Sequence, residues 1–295
     1  MRFAGAFMLS LMAGACMTAV APPITETEHL RPGAANRFVA STPTVVESYG
    51  QASPKQFGEL RMPAGKGPFP VAVLIHGGCY VGMGSTRNMG LIADWLRVNG
   101  VATWNVDYRE IGSGGGWTAT FEDWAAGLAA LPELAERYPI DLSRVSLVGH
   151  SAGVTPAVWL TSGNQGDEIL VRRLPRVRAS VLLDGPLDLA ALEGQDEAIC
   201  GQKVLEPLFG GLPGKVPGRY AMLDPRKNAS AAKEMVIVNG SFPAPSPDIV
   251  AALRSSGVKV EQIAVTPEQH FDMLKPGTAD FAAIAPALLR VTRGR

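Results

Sequence analysis

The chain has 295 residues, 46% hydrophobic and 18% charged, with 27 basic against 27 acidic side chains and a formal net charge of zero. That length suits one large α/β domain or two small ones. The charge balance leaves no basic footprint for nucleic acid and no acidic or basic tail, and the four histidines and three cysteines show no metal-ligand spacing, which argues against a zinc site.

At the N-terminus, Arg2 precedes the small and apolar stretch "FAGAFMLSLMAGA". It is shorter than the ~20 apolar residues that a membrane-spanning helix needs. Residues 1–21 therefore read as a secretory signal peptide. Cys16 supplies a second option, because "MAGAC" resembles a bacterial lipoprotein signal in which the cysteine carries a lipid anchor, although Ala13 stands where leucine is usual. Both options make the mature protein an exported one, periplasmic or secreted, or a membrane-anchored lipoprotein. In an oxidising compartment Cys79 and Cys200 become a disulfide candidate; the alternative is two separate buried thiols.

Residues 22–42 are rich in Pro, Thr and Ala and form a flexible N-terminal segment; residues 43–295 read as one domain. "TVVESYG" and "QFGELRMP" suit strands at a sheet edge. "FPVAVLIHGG" is a Val/Ile/Leu run that ends in glycines, as a buried strand does. "LIADWLRVNG" has apolar residues at helical spacing with Gly100 as a stop. "VATWNVDYR" is a second buried strand, and the glycine loop "GSGGGW" follows it. "FEDWAAGLAALPELAERYP" reads as a single helix with Trp124, Leu128 and Leu131 on one face. After the strand "RVSLVGHS" come a helix from about 152, the strand "VRASVLLDG", and a Pro/Gly-rich insertion, of which residues 190–225 form a small lid. The strand "EMVIVNG", the helix "DIVAALRSSG", the strand "KVEQIAV" and a last helix from about 278 complete the chain. Strands that alternate with helices predict an α/β fold with a mostly parallel central sheet flanked by helices.

The chemistry centres on Gly149-His150-Ser151-Ala152-Gly153, a G-x-S-x-G pattern between a strand and a helix. Flanking glycines let neighbouring backbone crowd a serine held on a sharp turn, so Ser151 is the candidate nucleophile. The plain alternative is a tight strand–helix turn without chemistry. An oxyanion hole then needs the Ala152 N–H and another from an earlier post-strand loop, and Gly77 and Gly78 in "IHGGCY" supply that loop. His76 and His150 suit packing roles beside these turns. The base must come late in the chain, where His270 in "VTPEQHFDML" is available. Tyr80, Trp117 and Phe271 flank these motifs and are candidates for a substrate pocket, with ordinary core packing as the alternative.

On "HGGCY", "VDYREIGSGGGWTATFEDWAAGLAAL", "VSLVGHSAG", "LFGGLPGKVPGRYAMLDP" and "QHFDML", the sequence resembles α/β-hydrolases, in the esterase branch that includes feruloyl-esterase-like and kynurenine-formamidase-like proteins. The resemblance runs over about residues 50–280. It implies the α/β-hydrolase fold and a serine hydrolase that cleaves carboxylic esters through an acyl-enzyme, with no metal or cofactor and a small-molecule ester as partner. Two rivals stay open: an arylformamidase-type amidase, and a non-catalytic relative that acts as a binding protein.

The acid is where the sequence departs from that family. Its usual place, three residues after the glycine that ends the seventh strand, is Pro243. Asp184, in "ASVLLDGP" at the end of the sixth strand, is the favoured acid. Asp248 is the alternative, although its place at a helix start also suits capping. A Ser–His dyad, or Glu268, remains beyond these, and Asp188 suits a cap on the following turn.

Overall fold

The structure, a computed structural model, describes residues 40–162, 169 and 173–294. Cys16, the expected signal segment 1–21 and most of the expected N-terminal segment 22–42 lie outside the described residues. Eight strands form one sheet: β1 (Val45–Ser48), β2 (Phe57–Arg61), β3 (Phe69–Ile75), β4 (Ala102–Val106), β5 (Ile140–His150), β6 (Val177–Leu183), β7 (Glu234–Asn239) and β8 (Lys259–Ala264). Their spatial order is β1-β2-β4-β3-β5-β6-β7-β8. β1 and β2 run antiparallel at one edge, and every pair from β4 to β8 is parallel. This is the mostly parallel α/β sheet that the alternation of elements predicts, and it fits the α/β-hydrolase fold that the resemblance implies.

The period of two along each strand builds two cores. Val71, Val73 and Ile75 of β3 face one side with Leu147 of β5 and Leu182 of β6. Ala72 and Leu74 face the other side with Val148, Val181 and Leu183. Because both faces are covered, these strands read as unbroken apolar runs. Helix α1 (Thr86–Val98) places Met89, Ile92, Ala93 and Leu96 on its buried stripe. The last helix, which is α9 once the helices are numbered in chain order (Ala279–Arg293), closes the same side with Ile284 and Leu288. The Thr278 side chain accepts the Phe281 N–H at 3.2 Å and caps that helix.

One expected element divides. The single helix read over "FEDWAAGLAALPELAERYP" is two, α2 (Ala119–Ala129) and α3 (Leu131–Arg137). Pro132 has no N–H to donate to an upstream carbonyl and its ring crowds the preceding turn, so it sits in the first turn of a new helix. Next come α4 (Val154–Trp159), three short helices in the segment expected to form a lid, α5 (Asp196–Cys200), α6 (Leu205–Phe209) and α7 (Pro217–Ala221), and α8 (Pro247–Ser255).

Register fixes where the chemistry falls. Ile75 pairs with Gly149, His150 with Leu183, Leu183 with Val238, and Asn239 with Ala264. The carboxyl ends of β3, β5, β6, β7 and β8 therefore finish level. The residues just past them share one edge of the sheet, where open α/β sheets bind ligands.

Candidate active site

Ser151 opens a 3-10 turn, Ser151–Gly153, directly after β5. Its φ is 53°, left-handed for a residue with a Cβ. Tight packing around the turn holds it there. A Cβ at Gly149 would come 2.1 Å from the Gly153 oxygen, one at Gly153 would come 2.1 Å from the Ile75 oxygen, and one at Gly185 would come 2.1 Å from the Ser151 oxygen. Glycine at these positions is a steric requirement of the turn.

Strain is concentrated here. Among the described residues the non-glycine positions with positive φ are Cys79 (52°), Tyr80 (64°), Ser151 (53°) and Asp184 (49°). All four border this edge of the sheet. Backbone in such regions costs of order 1–3 kcal/mol per residue and tends to gather at functional sites.

The loop after β3 lies against the turn. A Cβ on Gly77 would come 2.6 Å from the Ser151 Cβ and 3.3 Å from the Ala152 nitrogen. Gly78 has φ 114°. Its carbonyl accepts the Val81 N–H at 3.1 Å. Beneath the loop, His76 is fully buried. Its ring stacks on Tyr108 at 4.5 Å, and the Tyr108 hydroxyl donates to the His76 carbonyl at 2.9 Å.

Asp184 follows β6 and is fully buried. One of its carboxylate oxygens lies 2.6 Å from His270 Nδ1. The same carboxylate accepts the N–H groups of Gly240 at 2.8 Å, Ser241 at 2.9 Å and Phe242 at 2.9 Å. Burial alone would raise its pKa, but the hydrogen bonds from His270 and from these backbone groups outweigh burial and hold it below the ordinary aspartate value. The carboxylate is therefore ionised at neutral pH. Its acceptance fixes the His270 tautomer, with the proton on Nδ1 and Nε2 free to accept. Among the described residues no hydrogen bond joins Ser151 Oγ to His270; such contacts are often loose without substrate and tighten around it.

The other acids stand elsewhere. Asp248 is in the first turn of α8, exposed, hydrogen-bonded by Ser246 and 3.2 Å from Arg226. Asp188 also meets Arg226, at 2.5 Å, and its carboxylate accepts the Ala191 N–H at 3.2 Å. Pro243 contributes its carbonyl, which accepts from the Asn239 side chain at 3.3 Å. Neither Asp248 nor Glu268 makes a hydrogen bond or ion pair with His270.

A shallow cleft, partly open to solvent, lies beside Ser151. Tyr80 lines it together with Ala152, Leu189, Leu192, Ile199 and Phe242. The Tyr80 hydroxyl is spent on Thr155 Oγ1 at 2.8 Å, which leaves its ring as an apolar wall. Cys79 and Cys200 also line the cleft and are joined by a disulfide that ties the glycine loop to the lid. Trp117 follows the packing alternative and not the pocket one. It does not line this cleft; its ring packs on Phe121 at 4.9 Å with the Arg219 guanidinium 4.5 Å over it. Phe271 is 50% exposed and meets the His270 ring edge-on at 5.0 Å, outside the cleft lining.

Sequence reasoning missed two contacts. The backbone cradle of Gly240–Phe242 has no side-chain signature, and only the glycine after β7 hints at a turn there. The second is His150 Nε2, which lies 2.9 Å from the His270 carbonyl oxygen.

Comparison with known proteins agrees with this fold. A sequence model of the BD-FAE family matches residues 59–242. No curated protein matches the chain. A truncated carbohydrate esterase from gut microbiota superposes with TM-score 0.66 at 17% identity, over 85% of this chain and 97% of that one. Esterase B from Lactobacillus rhamnosis (HN001) gives TM-score 0.66 at 16% identity, over 88% and 89%. A thermophilic esterase from the Planctomycetes species Thermogutta terrifontis gives 0.63 at 17%, over 83% and 90%. At these identities the likeness concerns the fold.

Proposed function

The chain belongs to the BD-FAE family, and from that premise we propose that it is a serine hydrolase that cleaves carboxylic esters through an acyl-enzyme. Ser151 Oγ attacks the ester carbonyl carbon while His270 Nε2 takes its proton. The carbonyl oxygen becomes an oxyanion against the N–H groups of Gly78 and Ala152, with Gly77 keeping that space clear of side chains. As the intermediate collapses, the imidazolium returns the proton to the departing alkoxide. Water then attacks the acyl-serine by the same route. Asp184 holds the imidazole by its Nδ1–H and stabilises the imidazolium.

The observation that carries this reading is the 2.6 Å contact between His270 Nδ1 and Asp184 beside the serine turn. A relative that had lost its acid would lack the carboxylate that accepts the His270 Nδ1–H here. The apolar lining by Tyr80, Leu189, Leu192, Ile199 and Phe242 supports an uncharged acyl or alcohol group in the cleft. The signal-like residues 1–21 and the Cys79–Cys200 bond together support export.

A panel of aryl and alkyl esters plus N-formyl anilides, run on wild type and Ser151→Ala, tests the reading. Ester hydrolysis that Ser151→Ala abolishes, with the melting transition kept, is the expected result. Near-wild-type activity in that variant sinks it, and a preference for the anilides replaces the esterase by an amidase.

A further inference from the structure

His150 precedes the candidate nucleophile, and the proposed mechanism gives it no task. It is 1% exposed. A histidine buried at the end of a core strand needs a partner for its ring N–H groups. The structure supplies one in the main chain: His150 Nε2 lies 2.9 Å from the His270 carbonyl oxygen, 120 residues further along. A carbonyl can only accept, so Nε2 carries the proton and donates. The two rings are 4.6 Å apart, and the His150 ring also packs on Phe271 at 5.4 Å.

We propose that His150 is a positioning residue: by donating Nε2–H to the His270 carbonyl it pins the loop after β8 to the serine turn, so that the base is set at its main chain by one histidine and at its ring by Asp184. The inference rests on the Ser151–His270 reading above. Its economy is geometric. The backbone of residue 150 carries Ser151, and the side chain of residue 150 holds the loop of the base, so one residue references both reacting groups to the end of β5.

The groups that face His150 are His270 from the loop, Asp184 from the end of β6 and His76 from the end of β3. Burial, with the His270 ring beside it, lowers the His150 pKa to about 3. The ring is therefore neutral at neutral pH and keeps one donor aimed at the carbonyl. A cationic ring there would oppose the imidazolium that forms on His270 during turnover, so neutrality matters to the role.

The test uses the purified full chain and para-nitrophenyl acetate, with kcat and KM measured for His150→Phe and His150→Gln. Phenylalanine keeps a ring against His270 and Phe271 but has no donor; glutamine keeps a donor of similar reach. Displacing reacting groups by about 1 Å can cost ~10²-fold in rate. His150→Phe is expected to lose ~10–100-fold in kcat on that ground, with KM within about twofold. His150→Gln is expected to recover most of that loss. Should His150→Phe lack a cooperative melting transition, His150→Leu takes its place in the comparison. Equal kcat in the donor-less and donor-bearing variants, whether both high or both low, overturns the positioning role. Ser151→Ala run alongside keeps the two questions apart: its activity tests the esterase reading, and the Phe–Gln difference tests His150.

Discussion

After β6 the chain turns at Asp184, with a buried side chain and a left-handed backbone. After β7 it turns at Gly240 and presents only main chain to that carboxylate. The related hydrolases that the sequence resembles carry their acid on the second of these loops, and here that position is Pro243. The second loop has not become idle. Its N–H groups at Gly240, Ser241 and Phe242 all donate to the carboxylate on the first, and Ser241 Oγ donates to the Pro267 carbonyl at 2.5 Å on the loop that carries His270. One loop supplies the charge and the other supplies its solvation. In the mechanism proposed above the acid sits on the β6 loop, and the backbone donors of the β7 loop offset the desolvation cost of burying it.

The strongest way to break this comparison is to remove the charge. Asp184→Asn presents an amide where a carboxylate accepted, so His270 loses the acceptor that fixes its tautomer. A fall in kcat of ~10³–10⁴ is expected with para-nitrophenyl acetate, as for a wrong-tautomer variant. A loss below tenfold, with Asp248→Asn more damaging, would place the acid on α8 and end the comparison.

The receiving loop offers a gentler perturbation. A Cβ on Gly240 would come 3.2 Å from the Asp184 carboxylate and 3.1 Å from the Val265 side chain. The carboxylate cannot give way without losing hydrogen bonds on several sides. Gly240→Ala is therefore expected to lower kcat by about tenfold, a few tenths of an ångström costing less than the full 1 Å misplacement that brings ~10². Unchanged turnover would show that the cradle tolerates movement and serves burial alone.

How far the sequence revealed these loops follows from what each is made of. Ser151 and the glycine loop after β3 were legible because strained turns leave side-chain signatures, namely glycines where a Cβ has no room. His270 was legible by elimination near the end of the chain. Asp184 could be favoured because an acid after three apolar strand residues has no place in a core without a partner. The cradle was not legible, because backbone N–H groups belong to every residue and only the register of β6 against β7 aims these at one carboxylate. Trp117 stayed open between pocket and core for a related reason: its proximity in sequence to a glycine loop says nothing about which way its ring points. The split of one helix into α2 and α3 was written in Pro132, whose missing N–H outweighs the apolar spacing around it.

A pH series separates charge from packing in the same pair of loops. The Asp184 pKa is held below the ordinary value of about 3.9 by His270 and the cradle. A depressed folded-state pKa means that its contribution to stability is fully present above the unfolded value and is lost as pH falls through the folded one. Asp184→Asn has no such contribution to lose. The melting-temperature gap between wild type and Asp184→Asn is therefore expected to narrow as pH is lowered from 5 towards 3. A gap that stays constant over that range would mean that the carboxylate contributes through shape and not through charge.

The smallest effect belongs to the acid that stands outside both loops. Asp248 is exposed in the first turn of α8, where its partners are Ser246 and Arg226. Arg226 is also held by Asp188 at 2.5 Å and Asp224 at 2.8 Å, so loss of one carboxylate leaves it two. Exposed ion pairs of this kind contribute little, since water competes for each charge. Asp248→Asn is expected to change kcat by less than tenfold and to leave the pH dependence of melting near that of wild type. Measured beside Asp184→Asn on the same substrate, it supplies the reference for an aspartate near the sheet edge that carries no part of the reaction. If its loss matched that of Asp184→Asn, the two acids would have to be coupled through Arg226 and Asp188, and the division of labour between the β6 and β7 loops would no longer account for the site.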